Sequence, residues 1–304
     1  MARNLKYQFK NAIEKNFKEG MSKHSLKNEH AQRGDKVFSY SDRKNLIDVA
    51  ANFSNFMREN YKEIKMIRDI RQEHVQSFLN LKAKTCSDQT LKQYASKFQK
   101  LEKLAAKTFD TRIKFSGYIT PKSEIRNHYR DVSMSKNDLN KIREGFSNSA
   151  SKAKIAIELS ARNGLRVSEC TKLTARNINL GKMQIEVRGA KGGRDRDIPI
   201  REKDREFYEN LKSQYHDDER VCPIQKDSIN KALREQMNRY NISEKYENTG
   251  IHSIRKFYAQ ERFDELRNGN EELDIKDAWG IVSQELGHSY DRMDLLEVYV
   301  RSVY

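Results

Sequence analysis

Apolar residues recur at three- and four-residue spacing through much of the chain, and that spacing predicts helices. From Ser41 onward, Leu46, Val49, Ala50, Phe53, Phe56 and Met57 form one stripe, while Arg43, Lys44 and Asp48 fill another face. A shorter segment carries Val75, Phe78 and Leu79. The clearest stripe is Leu91, Tyr94, Ala95, Phe98, Leu101, Leu104 and Ala105, with Lys92, Lys97, Lys100 and Lys103 on the other faces. These segments predict an all-helical domain over residues 36–115. Residues 1–35 are polar, basic and weakly periodic, which suits either a docking arm or a helix packed on the next region.

Between residues 116 and 134 the periodicity stops, and Gly117, Pro121 and several charges predict a linker. A second domain is expected over residues 135–304. It begins with Leu139, Ile142 and Phe146, then Ile155, Ala156 and Leu159, and Asn163-Gly164 provides a left-handed helix stop. Next comes the one convincing β signal. Met183, Ile185 and Val187 alternate with Gln184, Glu186 and Arg188, and Ile198 and Ile200 alternate on a returning strand. The turn GAKGGRDR joins them, and the rest of the chain reads as helical. The expected fold class is therefore mainly α with a small β-sheet.

Charge narrows the partners. The 304 residues include 59 Lys and Arg against 44 Asp and Glu, a formal net charge of +15 spread along the whole length. Such an excess costs self-repulsion and is commonly offset by a polyanion, with nucleic acid the first candidate. No apolar run approaches the roughly 20 residues needed to span a bilayer, so no membrane partner is expected. The opening MARNLKYQFKNAIEK lacks a signal-peptide core, so a cytoplasmic protein is expected. Cys86, Cys170 and Cys222 form no C-x-x-C pair, which indicates neither a disulfide framework nor a zinc site.

Four local features carry candidate chemistry. In ARNGLRVSE, Arg166 and Glu169 stand three residues apart, where a carboxylate can orient a guanidinium. Lys191 lies at the hairpin tip. HSIR sets His252 and Arg255 at the same spacing, and LGHSYDRMDLLEVY holds His288 and Tyr299. Each alone has an ordinary explanation, such as a surface ion pair or an exposed turn lysine.

Taken in order, GLRVSE, GAKGG, HSIR, LGH and VYV resemble the catalytic domain of the tyrosine recombinases, which include phage integrases and Xer-type resolvases. The resemblance runs from about Lys136 to the C-terminus and implies a preceding core-binding (SAM-like) helical domain. It further implies a site-specific DNA recombinase, integrase-like, that cleaves and rejoins double-stranded DNA at specific recombination sites through a covalent 3′-phosphotyrosine. Arg166, Lys191, His252, Arg255, His288 and Tyr299 are then the catalytic set, with Glu169 in support and no metal or cofactor. The physical logic agrees. Two guanidiniums can clamp a phosphate that gains negative charge, and Lys191 can protonate the departing 5′-oxygen. Either histidine can hydrogen-bond the phosphate or assist proton transfer at the tyrosine. Lys92, Lys97, Lys100 and Lys103 are candidate DNA contacts in the first domain. A homo-tetramer on DNA is implied as well.

Two departures matter. In many relatives the tyrosine stands nine residues after the LGH histidine; here that position is Glu297, and Tyr299 follows two residues later. Tyr304 and Tyr290 are the other candidates. Only five residues follow Tyr299, where relatives often carry a further helix. The rival readings are a type IB topoisomerase or telomere resolvase with the same chemistry, and a catalytically inactive DNA-binding accessory protein.

Overall fold

The computed structural model describes residues 4–19, 35–109, 112–125, 132–189, 195–246, 249–269 and 272–301. The chain divides into two compact units, Met1–His128 and Tyr129–Tyr304.

The first unit is helical among its described residues. Helix α1 spans Leu5–Lys15, α2 Tyr40–Asn60, α3 Gln72–Ala83 and α4 Asp88–Phe109. Two starts are capped as their residues dictate: Asn4 accepts from the Tyr7 N–H and Ser39 from the Asp42 N–H. Leu5, Phe9, Ala12 and Ile13 of α1 are buried in the same core as the stripes of α2 to α4. Of the two possibilities for the N-terminal residues, this portion is thus a packed helix. Arg43 of α2 ties it down with a two-pronged pair to Glu14, at 2.8 and 2.6 Å. Phe53 sits at the centre, edge-on to Phe9, Phe78 and Phe98.

The described start of the expected linker lies extended on this unit. The Glu102 carboxylate accepts the Phe115 and Ser116 N–H groups, both at 2.6 Å. Tyr118 donates to the Ala95 carbonyl at 2.6 Å, and burial pushes its hydroxyl pKa up to about 12. The Glu124 N–H still reaches the Ala83 carbonyl at 2.9 Å.

The second unit adds α5 (Lys136–Gly145), α6 (Ala153–Asn163) and the one-turn α7 (Val167–Cys170). Strands β1 (Ile178–Asn179), β2 (Gln184–Val187) and β3 (Arg196–Pro199) follow, then α8 (Arg205–Lys212), α9 (Lys226–Arg239), α10 (Ile251–Asn268), α11 (Ile275–Glu285) and α12 (Leu296–Tyr299). The sheet is antiparallel in the order β1-β2-β3, with Ile185 opposite Ile198 and both facing the core. The mostly α fold with a small sheet is thus the one its periodicities predict.

Helix α6 is buried on nearly all sides, as Ile155, Ala156, Ile157, Leu159 and Ala161 show. It packs against α10, which begins the second hydrophobic cluster of this unit with Tyr258, Ala259 and Phe263. Trp279, Val282 and Leu286 complete that cluster, and Tyr299 and Val300 close it. Gly164 ends α6 at φ +61°, and a Cβ there would meet the Tyr258 ring at 2.5 Å. Only glycine serves both the left-handed turn and that close approach.

Candidate active site

Two chain reversals converge in the second unit, and a buried arginine joins them. Arg255 lies on α10 and is 1% exposed. Its Nη1 donates to the carbonyl of Gly164, at the end of α6, and its Nη2 to the carbonyl of Leu286, just past α11. Burial lowers its pKa to about 10; Tyr299 and Glu169 oppose that shift, while Arg166 adds to it. At neutral pH the guanidinium is therefore still charged. Its buried Nε–H finds no acceptor among the described residues.

The turn after Gly164 delivers Arg166, which caps α7. Its backbone N–H donates to Glu169 Oε2 at 2.8 Å and its Nη1 to Oε1 at 2.9 Å. Burial works against the Glu169 carboxylate, yet hydrogen bonds and charge from Arg196, with help from Arg166, hold its pKa down at about 2. Arg196, the first residue of β3, grips the carboxylate with Nη1 and Nη2 at 3.1 and 2.9 Å. Its Nε donates to the Glu285 carbonyl at 2.7 Å.

The second reversal is Leu286–Gly287–His288. Gly287 adopts φ +72°, and a Cβ on it would lie 3.0 Å from both Arg166 Nη1 and Arg196 Nη1. The turn thus lies directly against the two guanidiniums. The next residue, His288, places Nε2 3.3 Å from the Tyr299 hydroxyl. Tyr299 ends α12, buried beside the Trp279 ring, with the largely buried Lys256 amine 6.0 Å from its ring centroid.

Five of the seven residues singled out in the sequence for catalysis and support are therefore drawn together: Arg166, Glu169, Arg255, His288 and Tyr299. His252 is exposed one turn before Arg255, where it lines a cavity of about 740 Å³ together with Val167, Asn230, Arg234 and Gly250. Lys191 lies outside the described residues, as does Tyr304. The third candidate tyrosine, Tyr290, is engaged elsewhere: its hydroxyl donates to Asp277 at 2.7 Å, and that bond raises its pKa.

Three neighbours carried no clear mark in the sequence. Arg196 looked like one basic residue in a basic turn, and nothing local pairs it with a carboxylate 27 positions earlier. Lys256 and Trp279 carried no signal beyond helical spacing.

In the first unit, Lys97 and Lys100 both hold Asp42 at 2.5 Å, whereas Lys92 and Lys103 stand exposed. Among the described residues, no group of His, Cys, Asp and Glu could hold a metal ion, and no helix is long and apolar enough to cross a membrane.

Residues 133–272 match the model of the phage integrase family. That stretch includes Arg166, Lys191, His252 and Arg255 and ends before His288 and Tyr299. Among solved structures, the XerH site-specific recombinase bound to palindromic difH substrate, in a post-cleavage complex, is similar at TM-score 0.62 and 12% identity, covering 98% of this chain and 96% of that one. A lambda integrase tetramer bound to a Holliday junction is similar at TM-score 0.61 and 15% identity, with coverage of 93% and 79%. The Tn1549 transposon integrase in complex with a circular intermediate DNA gives TM-score 0.60 and 14% identity, with coverage of 97% and 95%. At such identities the likeness establishes the fold. No curated protein matches the chain significantly.

Proposed function

We propose that the chain is a tyrosine recombinase of the phage integrase family, whose model matches residues 133–272, and a site-specific DNA recombinase using Tyr299 as nucleophile. The observation that carries this reading is the Tyr299 hydroxyl 3.3 Å from His288 Nε2, beside the Arg166–Arg255 pair.

In this reading the Tyr299 oxygen attacks the scissile phosphorus while its proton passes to His288 Nε2 or to water. The bond to the 5′-oxygen breaks, and Lys191 protonates the departing oxygen. Arg166 and the buried Arg255 offset the charge that develops on the non-bridging oxygens. His252, exposed on the same helix as Arg255, is placed in this reading as a hydrogen-bond partner of the phosphate. The 3′-phosphotyrosine link conserves the energy of the broken bond, so the 5′-hydroxyl of a partner strand reverses the step and rejoins DNA. Double-stranded DNA carrying recombination sites is the substrate, and a homo-tetramer on two sites is the working assembly. The exposed Lys92 and Lys103, with Lys97 and Lys100 beside Asp42, supply phosphate contacts in the first unit.

The test is covalent trapping in EDTA on a nicked duplex built from DNA flanking the protein's own gene. Wild type should form a protein–DNA adduct that Tyr299→Phe and Arg166→Ala abolish and Tyr304→Phe retains. Loss in Tyr304→Phe alone would move the nucleophile to the last residue. Tight binding to that duplex without any wild-type adduct would sink the enzymatic reading in favour of an accessory DNA-binding role. Relaxation of supercoils by an isolated monomer would favour a type IB topoisomerase instead.

A further inference from the structure

A carboxylate three residues from a phosphate-binding arginine does two things at once. It fixes the guanidinium, which helps, and it cancels its charge, which does not. Glu169 takes both the backbone N–H and Nη1 of Arg166, so it orients that side chain firmly. Left as a lone pair, Arg166 and Glu169 would carry no net charge towards a phosphate. The second cation on Glu169 changes that count. Arg196 binds both carboxylate oxygens, and its own Nε is tied to the Glu285 carbonyl. Two guanidiniums on one carboxylate leave one positive charge. Accessibility says which of them meets a substrate: the Arg166 side chain is 21% exposed, against 8% for Arg196 and 5% for Glu169.

We propose that Arg196 is a positioning residue of this site, the counter-ion that lets Glu169 orient Arg166 without neutralising it. The inference rests on the recombinase reading above. It differs from a plain structural role, in which Arg196 merely pins β3 to the end of α11. Under the counter-ion role, removing the Glu169 charge makes Arg196 dispensable. Under the plain role it does not.

The experiment is single-turnover adduct formation on the nicked duplex by wild type, R196Q, E169Q and the double variant, with DNA binding and thermal melting measured alongside. R196Q should slow cleavage about 100-fold, the scale of a misplaced catalytic group. The double variant should recover roughly tenfold over R196Q, because the E169Q side-chain amide still accepts from Arg166 but carries no charge. A second substrate, with an uncharged methylphosphonate at the cleavage site, needs less charge compensation. On it the ratio of wild-type to R196Q rates should shrink to about threefold.

Should R196Q fail to fold, E169Q and the double variant decide: their rates should lie within about threefold of each other. Wild-type rates from R196Q overturn the proposal and leave the recombinase reading standing. So does a double variant no faster than R196Q together with a ratio that the methylphosphonate leaves unchanged. No adduct from bound wild type would overturn the recombinase reading and this proposal with it.

Discussion

Replacing Gly287 by alanine separates the demands of folding from those of the site. The residue sits at φ +72°, where a side chain costs roughly 1–2 kcal/mol. The added methyl would lie 3.0 Å from Arg166 Nη1 and from Arg196 Nη1, and 3.2 Å from Arg196 Cζ. Those are tips of long side chains, so each can yield a few tenths of an ångström without unfolding anything. Neither tip is idle, however. Arg196 is anchored on the Glu285 carbonyl and on Glu169, and Arg166 on the same carboxylate. Any shift therefore passes to the pair that presents Arg166, and to His288 next in the chain. Stability should fall by only about 1–2 kcal/mol, while cleavage should fall on the order of 100-fold. Urea denaturation and single-turnover adduct formation measure the two quantities on one preparation. A folded variant that cleaves at the wild-type rate would refute the reasoning, as would a stability loss above roughly 4 kcal/mol, beyond what strain and small shifts produce.

Three further expectations follow from the same contacts. With its pKa near 2 in the fold and its ordinary value of 4.5 when unfolded, Glu169 stabilises fully above about pH 4.5. That contribution, roughly 3 kcal/mol, should drain away as pH falls towards 2, and E169Q should flatten the acid limb of a urea-stability profile. Truncating Phe53 to alanine removes a fully buried ring packed on four others, and should cost about 3–5 kcal/mol in denaturant melts; a loss under about 1 kcal/mol would contradict the packing. The logarithm of the DNA-binding constant should fall linearly with log salt. Lys92→Gln or Lys103→Gln should each reduce the slope by about one, and Lys97→Gln or Lys100→Gln by less, because Asp42 already shares their charge. Equal slopes for all four variants would contradict that ordering.

Much of this protein is written in short-range pattern. The stripes of α2 and α4, the alternation of Ile185 and Val187, and the stop at Gly164 depend on neighbours within a few residues, which is the range over which backbone periodicity and capping act. The i,i+3 link of Arg166 to Glu169 was legible for the same reason. The ordered boxes named the candidate residues, since each is a local string. What only the tertiary structure decided is which charges meet. Lys97 and Lys100 looked like free basic faces until packing set Asp42 between them from 55 and 58 positions away. α1 looked merely polar until Phe9 and Ile13 found a core to fill. Tyr290 and Tyr299 look alike as strings, and only the fold sets the hydroxyl of one on Asp277 and that of the other beside His288. Arg196 became part of the site only when β3 came beside α7. An ion pair or a buried ring is defined by distance in space, and sequence separation carries no information about that until the helices have packed.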